Sequence, residues 1–339
     1  MKKRYVLLLA LFLGSFSGAR SQDSPPLELV QTFRVPGDIK GNFDHLTADF
    51  SHHRLFTTPE GYKAVIVLDI RTGKMIHTIR GITKPHAVLY RDDLDRIYVT
   101  DGGAGDLKIF DGKSYKLLKT VKLLLDADSI GYDAATHYLY IDNGGGDAHQ
   151  TYSTISIVDT TKGQKVADIK VDGDTLEAMA LERSGPRIFV NNRAKNQVDV
   201  VDRDRRSVVA SWPVTQGKVN VAMAFDETSH RLFVACRSGA IVVFDTESGK
   251  ELQALPIDKG VDDLVFDSES KRIYAACGAG QGSISVYLER DPDHYKLLGK
   301  VASAPGGKTA RLVPELHRYF VSVPQRGTMG ARVLAYDVL

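Results

Sequence analysis

Arg231-Leu232-Phe233-Val234-Ala235-Cys236, followed closely by Ala240-Ile241-Val242-Val243-Phe244-Asp245, decides how the rest of the chain is read. Both runs are short, rich in β-branched and aromatic residues, and bounded by turn formers, which reads as two strands. Residues 219–226 form a further strand before them and residues 251–257 another after them. The link Asp245-Thr246-Glu247-Ser248-Gly249-Lys250 is a hairpin turn: Asp245 accepts backbone N–H bonds and Gly249 takes a positive φ. The same turn stands at Asp69-Ile70-Arg71-Thr72-Gly73-Lys74 and, altered, at Asp159-Thr160-Thr161-Lys162-Gly163-Gln164. Its Thr-Gly-Lys is no phosphate loop, because the leading glycine and the following helix are missing.

The opening of the 231–236 strand recurs. Arg54-Leu55-Phe56, Arg96-Ile97-Tyr98, Tyr138-Leu139-Tyr140, Arg187-Ile188-Phe189, Arg231-Leu232-Phe233, Arg272-Ile273-Tyr274 and Arg318-Tyr319-Phe320 start 42, 42, 49, 44, 41 and 46 residues apart. A period of this size marks a repeat architecture. Four antiparallel strands per period, repeated radially, predict an all-β, seven-bladed β-propeller. The seventh unit stops at Leu339 without a fourth strand, and residues 27–35 are a strand without a unit. The N-terminal strand is therefore expected to complete the last blade and seal the ring, removing exposed sheet edges. The irregular insert at residues 144–152 explains most of the widest gap.

The chain opens Met1-Lys2-Lys3-Arg4, runs apolar to Leu13 and continues through small residues. That layout is a signal peptide over residues 1–21, with cut sites after Ala19 and after Ser21. One domain, residues 22–339, is expected beyond it, periplasmic or secreted, with no transmembrane segment after cleavage. With 44 basic and 42 acidic side chains the net charge is +2, and no basic block stands out, so nucleic acid is not an expected partner. A monomer is expected. Cys236 and Cys277 occupy matching places in consecutive units. Such places lie farther apart than the ~7 Å Cα limit of a disulfide, which favours two free thiols.

Ile97-Tyr98-Val99-Thr100-Asp101 resembles the signature of the YVTN-repeat β-propellers, the YncE-like exported bacterial proteins. The resemblance spans residues 22–339. It extends to Asp44-His45, Asp126-Ala127-Asp128, Asn220 with Arg237, Asp262-Asp263, Cys277-Gly278 and Val313-Pro314-Glu315. It implies a seven-bladed propeller and export, and no agreed activity. WD40 propellers match less well, since there is no Trp-Asp dipeptide and Trp212 is the sole tryptophan.

In a propeller, the loops entering the first strands and the loops between second and third strands emerge on one face. Ten residues before each triplet stand Asp44, His86, Asp128, Glu177, Val221, Asp262 and Lys308. Eight before stand Leu46, Val88, Ile130, Met179, Met223, Leu264 and Ala310. The inner strands thus turn from apolar to ionisable at one level, around the mouth of the axial channel. The other loops add Glu60, Asp101, Asn143, His149, Asn192, Arg193, Arg237 and Arg326. Convergent polar groups above an apolar shaft are the usual form of a small-ligand site. The expected ligand-binding set is Asp44, His45, His86, Asp128, Glu177, Asn220, Arg237, Asp262 and Lys308. The plain alternative is that these carboxylates only cap loop amides.

Asp44, His45, His86 and Asp128 offer carboxylate and imidazole ligands for a divalent metal, with Asp44, His86 and Asp128 the named candidates, though no fixed-spacing motif joins them. Asp142-Asn143-Gly144 and Asp172-Gly173-Asp174 lack the twelfth-position glutamate of a calcium loop and read as turns. No Cys-x-x-Cys-His exists, which excludes covalent haem, and no Gly-x-Ser-x-Gly exists. Cys277 is the one candidate nucleophile near the mouth, with an inert buried thiol the favoured reading. Asp262 and Asp263 are expected to alternate across the strand, with only one facing the channel. The leading expectation is non-catalytic binding of a small polar ligand or partner segment at the mouth. A metal-assisted, lactonase-like hydrolase using the same mouth, and a pure interaction scaffold using the outer rim, are the alternatives.

Overall fold

The computed structural model describes residues 24–35 and 39–339, so the signal-peptide reading lies outside the described residues. The described residues form seven four-stranded antiparallel sheets, each an up-and-down meander except the last. In the first blade the order is Phe43–Asp49, Arg54–Pro59, Val65–Asp69 and Met75–Ile79. Each triplet opens the second strand of its blade, from Arg54–Pro59 through Arg318–Val323.

The triplets repeat because every sheet is buried on both faces. Leu55 packs with Val313 and Phe320 of the seventh blade, whereas Phe56 packs with Val88 and Ile97 of the second. Tyr98 then meets Leu139, Tyr140 meets Ile188, Phe189 meets Leu232, Phe233 meets Ile273 and Tyr274 meets Tyr319. The middle residue of each triplet faces the preceding blade and the third residue faces the next. A large side chain is required at both, since successive residues on a strand point to opposite faces. The leading arginines tie blades at the periphery: Arg54 donates to the Gly112 carbonyl, Arg187 to that of Thr246 and Arg231 to that of Pro292.

Leu27–Arg34 pairs antiparallel with Arg332–Val338 and is the outer strand of the seventh sheet, with Leu29 opposite Tyr336 and Phe33 opposite Val333. Phe33 is buried between the seventh and first blades, its ring centroid 5.8 Å from that of Phe320. Gly73, at φ +71°, lets the first blade's hairpin close over it, since a Cβ there would fall 2.2 Å from the Phe33 ring. The hairpin turns form as their sequence requires: Asp245 accepts from the Ser248 amide at 2.7 Å and Asp69 from that of Thr72 at 2.8 Å.

Strand ends differ from the sequence expectation by a residue or two. The fifth blade's first strand starts at Asn220 because Val219 takes a positive φ of 60°, and its fourth strand is Lys250–Pro256. Part of the 144–152 insert is ordered as a 3-10 turn, Gly145–Ala148. Cys236 and Cys277 are free and buried.

Candidate functional site

The inner strands change character where they reach the axis. Five of the seven carry a β-bulge there: between Phe43 and Leu46, Pro85 and Val88, Leu176 and Met179, Asn220 and Ala222, and Val261 and Asp263. A bulge breaks the strict alternation of side chains and re-aims the residues it contains. As a result, adjacent residues reach the axial region together.

All seven residues that stand ten before the triplets line one cavity of about 260 Å³: Asp44, His86, Asp128, Glu177, Val221, Asp262 and Lys308. His45, Glu60, Lys84, Asp126, Arg193 and Arg237 complete its charged wall. Below it a second cavity of about 250 Å³ runs down the shaft, sharing His45, Ser129 and Ala178 and otherwise walled mainly by apolar residues such as Leu46, Leu89, Met179 and Val265.

The charges in the mouth are paired in order. Asp262 accepts from both Arg237 and Lys308. Glu177 accepts from Arg193 at 2.8 Å, and Glu60 lies 4.0 Å from Lys84. Asp44 Oδ2 is 2.5 Å from His86 Nδ1, and Asp44 Oδ1 is 3.4 Å from His45 Nε2. His45 Nδ1 reaches Asp263 Oδ1 at 3.1 Å, while Asp263 Oδ2 accepts the Ala310 amide. Asp128 is left over. Its Oδ1 is buried without a hydrogen-bond partner, 3.8 Å from His86 Nδ1.

Protonation follows from these contacts. Burial pushes the Asp128 carboxyl up to about 7, because His86 offsets the desolvation only in part and Asp44 adds repulsion. Burial also raises Asp44, but the rings of His45 and His86 outweigh it and hold that carboxyl well below the ordinary range. Burial disfavours the charged forms of both imidazoles, yet Asp128 and Asp44 lift His86 to about 9, and Asp263 and Asp44 lift His45 well above its ordinary value. The contacts therefore favour the ionised form of Asp44 and the protonated forms of both imidazoles, and make Asp128 hold its proton more tightly than an ordinary carboxyl.

Asp44, His45 and Asp128 each offer one donor atom, all within 4.8 Å of one another. Two carboxylate oxygens and one imidazole nitrogen suit a transition metal better than calcium. Of the two imidazoles offered for a metal, the trio contains His45 and not His86, whose Nδ1 is engaged by Asp44 Oδ2. Because the contacts favour a protonated His45 ring, loading a metal on this trio would release its proton.

Several expectations are corrected. Asn220 does not line the mouth: it is buried, donating to Asn191 Oδ1 at 2.8 Å and to the Gln197 carbonyl, and it holds the fourth blade to the fifth. Asp262 and Asp263 do not divide between axis and core, because the bulge at Val261 lets Asp262 line the mouth and Asp263 the shaft. Cys277 is fully buried, and desolvation pushes its thiol up to about 12, so no nucleophile faces the mouth there. Asp101 caps the amides of Thr83 and Lys84, Asn143 accepts from the Leu124 amide, and Asn192 bonds Asp199, all as structural contacts. His149 and Arg326 are exposed outside the cavity lining. Lys84 and Asp126 were not singled out for the site. Both stand twelve residues before a triplet, so extending the same count by two would have found them.

No family model matches the chain. It is 31% identical over 99 residues to an uncharacterized protein YncE of Salmonella typhi, and 30% identical over 99 residues to that of Salmonella typhimurium strain LT2. Each match covers 29% of this chain and 28% of the relative's own length. Among solved structures, a chain of a mitotic checkpoint complex superposes with a TM-score of 0.72 at 13% identity, covering 99% of both chains. A chain of the Kuenenia stuttgartiensis hydrazine synthase superposes with a TM-score of 0.70 at 15% identity, covering 92% of this chain and 96% of that one. At such identities the two structures speak for the fold alone.

Proposed function

We propose, from the premise that the chain is a YncE-like β-propeller, that its axial mouth binds a small polar ligand without turnover, and that this ligand presents a positive centre to Asp44 and Asp128. The observation that carries the reading is the state of Asp128. All four lysine and arginine side chains of the mouth lie beside other carboxylates, and the Asp128 Oδ1 is buried without a partner. A buried polar atom left unmatched is costly, and a proton or a bound cation relieves that cost. An ammonium group arriving beside Asp44 and Asp128 would displace the proton and complete the network.

The test is a panel of amines, amino acids, polyamines and divalent ions, screened by thermal shift against the protein and its Asp128→Ala variant. Hits are then followed by calorimetry at pH 6 in two buffers of different ionisation heat. Binding that releases a proton and is lost in Asp128→Ala supports the reading. A panel without hits, or hits that bind the variant equally well, removes it.

The metal-assisted hydrolase is kept as a second reading because Asp44, His45 and Asp128 converge. Elemental analysis of protein purified without chelator separates the two. Stoichiometric metal that disappears in Asp44→Ala favours the hydrolase.

We also propose that the protein works outside the cytoplasm, periplasmic or secreted, as a single ring. The layout of residues 1–21 supports export, and closure of the ring by its own two ends supports a monomer. Intact mass of the protein recovered from the periplasm or medium, and light scattering, test these points.

A further inference from the structure

Seven residues before the triplets stand Thr47, Leu89, Gly131, Ala180, Ala224, Val265 and Arg311. Their equivalence is structural as well as numerical. Each lies opposite the third residue of its triplet in the strand ladder: Phe56, Tyr98, Tyr140, Phe189, Phe233, Tyr274 and Phe320. Six of the seven carry no charge, and the seventh is an arginine.

Arg311 lines the shaft cavity of about 250 Å³. It is an exposed residue of that lining, reached by solvent through the open cavity. Among the described residues its guanidinium makes no hydrogen bond or ion pair. Asp263 and Glu315 act on it only through space. Asp263 is already engaged through both oxygens, with His45 and with the Ala310 amide. Glu315 is exposed. A guanidinium cannot escape its surroundings by losing a proton. An unpaired one beside a mainly aliphatic wall is free to take an anion.

We propose that Arg311 forms an anion site inside the axial shaft, suited to the carboxylate of a small, partly apolar ligand. One guanidinium fork matches one carboxylate in bidentate geometry. A phosphate dianion would call for a second free cation, and His45, the other basic side chain lining this cavity, is already held by Asp44 and Asp263. Leu46, Leu89, Met179 and Val265 offer an aliphatic chain the apolar contact it needs, and the Thr47 and Ser129 side chains line the same void. The site stands independently of the proposed role of the mouth, although the two cavities adjoin.

Acetate, butanoate, phosphate and chloride at constant ionic strength are the probes, read by thermal midpoint and by line broadening of carbon-13-labelled acetate. The protein, Arg311→Met, Arg311→Lys and Asp128→Asn are compared. Butanoate is expected to raise the midpoint of the unaltered protein saturably and to leave Arg311→Met unmoved. Arg311→Lys should bind ~tenfold or more weakly, the loss of one charge-assisted hydrogen bond. Asp128→Asn should respond as the unaltered protein does, so failure of the mouth reading and of this one are told apart. An amino-carboxylate that outbinds butanoate only while Asp128 is intact identifies the carboxylate as one arm of the mouth ligand. Butanoate and the amino-carboxylate binding alike identifies a free carboxylate. The proposal is overturned if butanoate has no effect, if Arg311→Met responds equally, or if chloride or phosphate does as well as butanoate.

Discussion

Replacing Asp128 by Asn should make the protein more stable at neutral pH, and the size of the gain follows from the mouth's protonation. The folded Asp128 titrates at about 7 against an ordinary 3.8. Its folded pKa is raised, so the folded state binds the proton more tightly than the unfolded chain does. Stability from this group is full below the unfolded value and is lost as pH climbs through the folded one. At 1.36 kcal/mol per pH unit, the loss between these limits is about 4 kcal/mol. His86, raised from 6.5 to about 9, adds a second decline over that higher window, since a raised imidazole also loses its contribution as pH rises. Asn keeps the shape and has no titration. It also withdraws the charge of Asp128, which helps keep His86 protonated, so part of the gain is returned. The expected net gain at pH 7 to 8 is about 2 to 4 kcal/mol, shrinking towards zero near pH 4. Urea unfolding at pH 5, 6, 7 and 8 measures it, with the fluorescence of Trp212, packed between Phe189 and Phe244, as the probe. Parallel pH profiles for the two proteins, or a variant less stable at pH 8, would refute the reasoning.

Three further outcomes follow. Asp142 occupies the register at which Thr58, Thr100 and Asn191 donate to the carbonyls of His86, Asp128 and Ala222 on the next blade. It is buried, and desolvation together with Asp128 and Glu177 raises its carboxyl well above the ordinary range, so Asp142→Asn should raise the urea midpoint at pH 7; a fall would show that the carboxyl is needed ionised. Phe33→Ala should cost about 3–5 kcal/mol, since it empties the wedge between the first and seventh blades; a loss below ~1 kcal/mol in urea titration would mean the seam is not packed as described. Neither Cys236 nor Cys277 should react with a thiol reagent until the protein unfolds, because burial pushes both thiols up to about 12; rapid labelling of the native protein would contradict that burial.

The fold was readable because a ring of sheets buries both faces of every strand, and that demand writes a pair of large residues such as Leu232 and Phe233 into each unit. Leu27–Arg34 was readable as the closing strand because it had no unit of its own. The level of the mouth was readable for a similar reason: the seven residues from Asp44 to Lys308 share one place in the repeat. What sequence periodicity missed lies where the backbone leaves its regular path. The bulge at Val261 undid the alternation assumed for Asp262 and Asp263. Asn220 entered the expected set through the family resemblance, together with Arg237, and only the blade interface shows its amide bonded to Asn191. Arg311 stood at a level whose other members are uncharged, a contrast that becomes informative only once the shaft beneath the mouth is known to be hollow.

The seam between Leu27–Arg34 and Arg332–Val338 also sets a timetable for folding. A ribosome adds roughly 5–20 residues each second, so the opening strand waits roughly 15 to 60 seconds for the segment it must pair with. Throughout that interval it is an unpaired ribbon, and no arrangement of the six preceding sheets can shield it by the native contact. Long-range pairings of this kind are the slow step of β-rich folding and the period of greatest exposure to misassembly. A chain truncated near Arg332 would keep most of its blades and stay permanently in that vulnerable condition.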